Sequence, residues 1–331
     1  MSTYKIGFIG DLHLSDRVTG RHKDYLGNCI DVMDKITETI VSQGLTHLFL
    51  CGDIFGTREH TLKTMEARAV FFSKFSLWKE YLNGNLYSIR GNHDEASKTT
   101  DFDVLAATQL IRVTSTNGYD FVDIGGYRIH MIDYGYDKTE IQLDTERSNI
   151  AVMHSYLQIP GKIDLTNIKG AVNLGSLTNL KGVDLVVGGH YHEPSRYQAT
   201  MIEDKPVNLI YLGCPTRPSA SDVWNETFML IATSNDTDGV TYELNESAVV
   251  FNLCNINELL KPVKEKTEDV EESISRTMMV EAVLNDLQNY YIMGGGAYKE
   301  RLESMREVDN EAVELCLRYI DDVQSNGRSK R

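Results

Sequence analysis

The 331-residue sequence has no long apolar run. None approaches the roughly 18 residues of a membrane-crossing helix, so a membrane protein is not expected. The start, Met1-Ser2-Thr3-Tyr4-Lys5, enters a strand-like run without the layout of a secretory signal, which points to the cytoplasm. Cysteine is sparse. Cys29, Cys51, Cys214, Cys254 and Cys316 are odd in number and form no close pair, which argues against a disulfide framework and for buried thiols in a reducing compartment. Basic residues are in deficit: 33 Lys and Arg against 48 Asp and Glu leave a net charge of −15. Phosphate of nucleic acid is normally gripped by Lys and Arg. An acidic chain therefore acts on small substrates, relies on bound cations for local attraction, or borrows a basic surface from a partner. Internal repeats and low-complexity tracts are also lacking. The apolar fraction of 41% is ordinary for a globular protein, and the length suggests about two domains.

Residues 4 to 115 alternate apolar runs with helical periodicity. Lys5-Ile6-Gly7-Phe8-Ile9, Leu48-Phe49-Leu50-Cys51 and Leu86-Tyr87-Ser88-Ile89 read as buried strands. Tyr25, Cys29, Val32, Ile36 and Ile40 repeat at helical spacing between the first two, and residues 61 to 82 form the next helix. Such alternation predicts parallel strands covered by helices, with ligands gathered at the carboxyl ends of the strands. Beyond 115 the pattern is strand-rich. Tyr119 to Ile124 and Tyr127 to Asp133 flank Gly125-Gly126, a hairpin signal. Further strands are expected at Ile150 to Met153, Val183 to Val187, Asn208 to Leu212, Phe228 to Ala232 and Val240 to Leu244. The fold class is α/β, a two-layer β-sandwich flanked by helices.

Five short words stand at the ends of these runs: Gly10-Asp11-Leu12-His13, Gly52-Asp53, Gly91-Asn92-His93-Asp94-Glu95, Met153-His154 and Gly189-His190-Tyr191-His192. Each alone is weak, since a Gly-Asp after a strand is commonly a turn and a strand histidine commonly a packed residue. Their joint, ordered occurrence is the signal. Asp11 and His13, two apart in an extended segment, point the same way and can meet one ion. Asp53 has two oxygens and can bridge two ions. Asn92 offers a neutral oxygen, and His190 and His192 can each serve one of two adjacent ions. Oxygen and imidazole donors suit Mn, Fe or Zn better than Ca. Two adjacent ions clamp a phosphoryl group and activate a water, so the donor set predicts a binuclear phosphoesterase. His22, His47, His60 and His130 lack such context, and His47 and His130 read as core or strand-edge residues.

In this order the words resemble the calcineurin-like metallophosphoesterase superfamily over residues 4 to about 235. The resemblance implies that Asp11, His13, Asp53 and His192 hold a first metal. It gives Asp53, Asn92, His154 and His190 to a second. His93 would contact the scissile phosphate and assist the leaving group, and Asp94 would orient it. The ions would be two divalent cations, Mn first and Fe, Mg or Zn otherwise. Within the superfamily the chain is most similar to the SbcD-type DNA repair nucleases, which include bacteriophage recombination endonuclease subunits. Asp11-Leu12-His13-Leu14, Gly189-His190-Tyr191-His192-Glu193-Pro194 and Tyr211-Leu212-Gly213-Cys214-Pro215 carry that likeness, the last with Cys where the branch has Ser. It implies DNA as substrate, an SbcC-like coiled-coil ATPase as partner, a possible homodimer and, for a phage-encoded chain, the host cytoplasm.

The expected organisation is a catalytic domain over 1–235, a short cap or linker over 236–265 and a helical partner-binding region over 266–331. The last follows a charged stretch, Lys261 to Glu272, that contains Pro262. In it Ile274, Met278, Leu284 and Leu287 lie on an apolar stripe suited to a partner groove, before Gly294-Gly295-Gly296. A stand-alone phosphatase or phosphodiesterase for small or nucleotide substrates is the alternative. A non-catalytic scaffold is the second rival, and the complete donor set argues against it.

Overall fold

The computed structural model describes residues 3–261 apart from 17–21, 57–61, 95–98, 164, 166–167, 220, 236–245 and 254. The chain divides into two compact units, Met1–Pro262 and Val263–Arg331, and the described residues belong to the first. The region expected to be helical over 266–331, the strand expected at Val240 to Leu244, Glu95 and His60 lie outside the described residues.

Two six-stranded sheets form the unit. The chain order is β1 (Thr3–Ile9), α1 (Tyr25–Gln43), β2 (His47–Leu50), α2 (Met65–Tyr81), β3 (Leu86–Ser88), α3 (Asp101–Ala107) and β4 (Arg112–Val113). β5 (Tyr119–Ile124), β6 (Tyr127–Ile132), β7 (Ser148–His154), β8 (Leu157–Gln158) and β9 (Val172–Asn173) follow. β10 (Leu185–Gly189), β11 (Ser195–Ile202), β12 (Lys205–Tyr211), β13 (Glu226–Asn235), β14 (Glu246–Asn252) and α4 (Ile256–Leu259) complete it. The first sheet runs β14-β13-β1-β2-β3-β4, the second β11-β12-β10-β7-β6-β5, and β8 and β9 make a small separate pair.

Helix α1 forms where the stripe predicts. Asp24 caps it by accepting from Gly27 N at 2.8 Å, and Gly44, at φ 63°, closes it in the left-handed region that glycine adopts freely. Tyr25, Cys29, Val32, Met33, Ile36 and Ile40 are its buried face. Each such side chain gains about 1.5–3 kcal/mol over exposure. Helix α2 begins later than the expected residue 61, because Thr64 accepts from Ala67 N and so sets its first turn. Ala67, Phe71, Phe75 and Trp78 face inward from it. These faces pack with Leu48, Leu50 and Leu86 on one side of the first sheet.

The strand period of two fills the interior. Ile6 and Phe8, Phe49, Ile129, Ile150 and Val152, Leu185 and Val187, and Leu230 point into the layer between the sheets. Their alternates Ala151, Met153, Val186, Leu209 and Tyr211 face the other way and pack with Leu157, Leu174, Leu177 and Leu180. The predicted Gly125-Gly126 hairpin forms, and its register sets Ile124 opposite Tyr127 and Tyr119 opposite Ile132.

Several elements had no clear sequence signal, among them β11, β14 and α3. β11 pairs antiparallel with β12 at a sheet edge. β14 lies inside the stretch expected as a cap or linker, and it pairs antiparallel with β13 at the edge of the first sheet. Helix α3 starts on a capping box between Thr100 and Asp103. Among the described residues no helix is long and apolar enough to cross a membrane.

Candidate metal centre

The parallel core of each sheet delivers its strands' carboxyl ends to one place. β1, β2 and β3 are parallel, as are β6, β7, β10 and β12. Asp11 and His13 follow β1, Asp53 follows β2, Asn92 and His93 follow β3, His154 ends β7, and His190 and His192 follow β10. The loops after β1 and β2 stay paired: Leu12 N and His13 N both donate to Asp53 O, at 3.2 and 2.9 Å, and Leu14 N donates to Ile54 O at 2.8 Å. This pairing forces tight turns. His13 (φ 44°), Asp53 (φ 48°) and His190 (φ 79°) are all left-handed although none is glycine. Residues held in that region cost roughly 1–3 kcal/mol each and cluster at functional sites.

The glycines of the words allow close approach. A Cβ on Gly189 would stand 2.3 Å from Cys51 O and 2.6 Å from Asp11 Oδ1. One on Gly91 would stand 2.0 Å from Asp53 Oδ1.

Donor atoms converge in two adjoining sets. In the first, His13 Nε2 lies 2.9 Å from His192 Nε2 and 3.5 Å from Asp53 Oδ2, and His192 Nε2 lies 3.9 Å from Asp11 Oδ2. In the second, His154 Nε2 lies 3.0 Å from Asn92 Oδ1 and 3.3 Å from Asp53 Oδ2. Asp53, His154 and His190 have ligand atoms within 4.8 Å of one another. Asp53 Oδ2 therefore stands between the two sets, while its Oδ1 accepts from His93 N at 2.8 Å. Asp11 accepts from His190 N through both oxygens, at 3.1 and 2.8 Å. His93 sets its ring edge-on to His13, centroids 4.9 Å apart. Asp94 turns Oδ2 toward Gly91 N at 3.0 Å and Ile54 N at 3.4 Å, fastening the loop that carries Asn92.

Asp11, His13, Asp53 and His154 are buried, whereas Asn92, His93, His190 and His192 are partly open. The open side is where a substrate would enter.

The electrostatics ask for positive charge. Burial pushes the Asp11 carboxyl up to about 6, with Asp53 adding to it, and burial together with Asp53 pushes Asp94 up to about 8. Burial also opposes the Asp53 charge, but the imidazoles of His154, His13 and His93 outweigh it and hold that carboxyl well below the usual range. Burial and His154 lower His190 to about 3, and burial lowers His13 well below its ordinary value, so both rings are neutral and have lone pairs to give. Burial opposes protonation of His154, yet Asp53 and Asp11 raise it to about 10. The reason lies in its partners. Nδ1 meets Cys51 O at 2.8 Å, so Nε2 is the nitrogen that faces Asn92 Oδ1 and Asp53 Oδ2, both acceptors. Asp11 Oδ1 also lies 3.5 Å from Nδ1, so four acceptors crowd one ring and favour positive charge there. The donor set thus fits two divalent cations: lone pairs and carboxylates converge where hydrogen bonds alone cannot reconcile them.

Three neighbours had no sequence signal. Asp222 Oδ2 faces His192 Nδ1 at 3.6 Å from a loop without a motif. Tyr134 and Tyr156 flank His190, with centroids 5.5 and 3.8 Å away. His47 and His130 lie elsewhere. His47 stacks on Tyr87, and His130 meets the Tyr119 hydroxyl and Asn149 Oδ1, each at 3.1 Å.

This chain belongs to the calcineurin-like phosphoesterase family, whose model matches residues 4–194. It is a metal-dependent phosphoesterase by that membership and by the donor set. Among solved structures it is similar to a dimetal phosphatase from Danio rerio, at 12% identity and a TM-score of 0.44, over 73% of this chain and 98% of that one. It is also similar to Yfce, a phosphoesterase from E. coli, at 14% identity and a TM-score of 0.36, over 73% of this chain and 98% of that one. No curated protein sequence matches it significantly.

Proposed function

We propose that this chain is a binuclear phosphodiesterase that cleaves DNA as the nuclease subunit of an SbcCD-like complex. The observation that carries the chemistry is the position of Asp53 Oδ2, 3.5 Å from His13 Nε2 in one donor set and 3.3 Å from His154 Nε2 in the other. Asp11, His13, Asp53 and His192 would hold one divalent cation, and Asp53, Asn92, His154 and His190 the other. When bound, such a pair supplies charge neutralisation at the phosphoryl oxygens and a water of lowered pKa. The chain's residues do the rest. Asp53 and Asp11 keep the donors in register through their backbone contacts to His93 and His190. His154 keeps its proton on Nδ1, toward Cys51 O, and so offers Nε2. His93, partly open and beside His13, would contact the scissile phosphate and protonate the leaving oxygen. Asp94 holds its loop.

Two of the sequence words that suggest DNA as substrate adjoin each other in the fold. Cys214 N donates to His192 O at 2.9 Å, and Gly213 lies against Pro194. The net charge of −15 supports a partner that brings the basic surface. In this reading residues 266–331 dock on the coiled coil of an SbcC-like ATPase.

The test measures hydrolysis of linear duplex DNA, nucleotides and bis-p-nitrophenyl phosphate with added Mn and, in parallel, with Co, Zn or Fe, with and without an SbcC-like ATPase and ATP. Cleavage of duplex DNA that rises with the partner, and a stable complex in pull-down, are expected. Hydrolysis of nucleotides alone would overturn the DNA reading and leave a small-substrate phosphodiesterase. No hydrolysis of any of the three would overturn the binuclear mechanism.

A further inference from the structure

We propose that Cys214 is a thiolate ligand to the cation held by His13 and His192, making that half of the centre selective for thiophilic metals. This rests on the binuclear reading above.

Cys214 is fully buried, and its Sγ lies with the ligand nitrogens of His13 and His192 in one group whose atoms are all within 4.8 Å of one another. A cation at about 2.0–2.1 Å from imidazole nitrogen and about 2.3 Å from thiolate sulfur spans at most about 4.4 Å between them. With the two nitrogens 2.9 Å apart around one cation, bond angles of about 90–110° place the sulfur about 3.1–3.6 Å from each, so the thiol moves in by up to about 1.5 Å when the cation binds.

The backbone holds the thiol to the site. Cys214 N donates to His192 O at 2.9 Å, and Cys214 O accepts from Trp224 Nε1 at 3.3 Å. Gly213 turns the chain at φ 82°, with a Cβ position only 3.0 Å from Pro194, so the approach depends on glycine there. Sγ meets Thr216 Oγ1 at 3.5 Å, whose hydroxyl donates to Leu12 O at 2.7 Å, and the backbone N–H of Arg217 also reaches the sulfur.

The chemistry balances simply. A sulfur–metal bond forms, a water leaves the cation, the thiol proton goes to solvent, and no oxidation state changes. Carboxylate and carbonyl donors suit Mn and Mg, while thiolate with imidazole suits Zn, Co and Fe. Asp11, Asp53, His13 and His192 alone would accept either group. Cys214 tips this site toward the second, whereas the site built on Asn92 keeps oxygen and imidazole donors only.

The test uses the full chain, stripped of metal and reloaded with Co(II), with wild type, Cys214→Ser and a Cys29→Ser control. Metal counting should give two cobalt ions in each. Wild type and Cys29→Ser should show an intense near-ultraviolet thiolate-to-cobalt charge-transfer band that Cys214→Ser loses. No band in a two-cobalt wild type, or an unchanged band in Cys214→Ser, overturns the proposal and leaves the thiol as packing. A chain that binds no cobalt sinks the binuclear reading instead. Because Cys214→Ser is a buried change, the zinc-loaded wild type is also examined by X-ray absorption. A sulfur shell at about 2.3 Å is expected, and a shell of nitrogen and oxygen alone overturns the assignment.

Discussion

Replacing Asp53 by asparagine tests the shared oxygen directly. The side chains have nearly the same shape. The new amide would keep an acceptor for His93 N, now 2.8 Å from Asp53 Oδ1. It would put an NH2 group where Oδ2 faces His13 Nε2 at 3.5 Å and His154 Nε2 at 3.3 Å. An NH2 group cannot ligate a cation, so both donor sets lose their common anion. A ligand that binds only the folded state stabilises it by about 2.7 kcal/mol at 100 times its Kd. Two filled sites therefore give about 5 kcal/mol, a rise in Tm on the order of 10 °C in a protein of this size. Asp53→Asn should lose nearly all of that metal-induced rise, and His13→Ala about half. In chelator Asp53→Asn should melt lower than wild type, because it removes the carboxylate whose charge the imidazoles of His154, His13 and His93 stabilise and leaves His154 with less to balance its proton. Thermal melts with excess Mn and with chelator, paired with metal counting, read all three. An Asp53→Asn variant with two ions and the full rise in Tm would refute the shared oxygen.

His93→Ala should keep both ions yet lose about 10²- to 10⁴-fold in turnover on a substrate with a poor leaving group, measured by steady-state kinetics. A near-normal rate would remove His93 from the chemistry. Asp222→Asn weakens the partner of His192 Nδ1, and metal titration should show a loss of about 10- to 100-fold in affinity at one site. Affinities unchanged from wild type at both sites would mean Asp222 only packs. Gly189→Ala drives a methyl to within 2.3 Å of Cys51 O, so overpacking should cost about 1–3 kcal/mol in chemical denaturation and reduce metal content. Unchanged values would show that β10 has room to shift.

Much of this was legible because local signals and tertiary demands agree. The stripe Tyr25, Cys29, Val32, Ile36 and Ile40 names the buried face of α1, since a helix on a sheet must hide one side. Gly125-Gly126 names a hairpin, since few residues turn that tightly. The donor words stand at strand ends, and parallel strands bring such ends together. What was hidden depends on neighbours distant in the chain. β11 and β14 are edge strands whose pairing is decided by β12 and β13, and their own composition says little. Asp222 acquires meaning only by facing His192, and Cys214 only by lying beside His13. The capping box of α3 was in plain sight, but seven residues are too few for periodicity to support it.

The left-handed backbone at His13, Asp53 and His190 links catalysis to ancestry. These positions carry side chains where glycine would rest more easily, and the surrounding sheets bear the difference. Their side chains are donors at the metal centre, and glycine has none to offer. In a lineage that abandoned hydrolysis while keeping the scaffold, mutation would carry all three toward glycine or asparagine, and the fold would grow firmer as it fell silent. Glycine at these three places in a descendant would thus be a fossil mark of lost activity, readable without an assay.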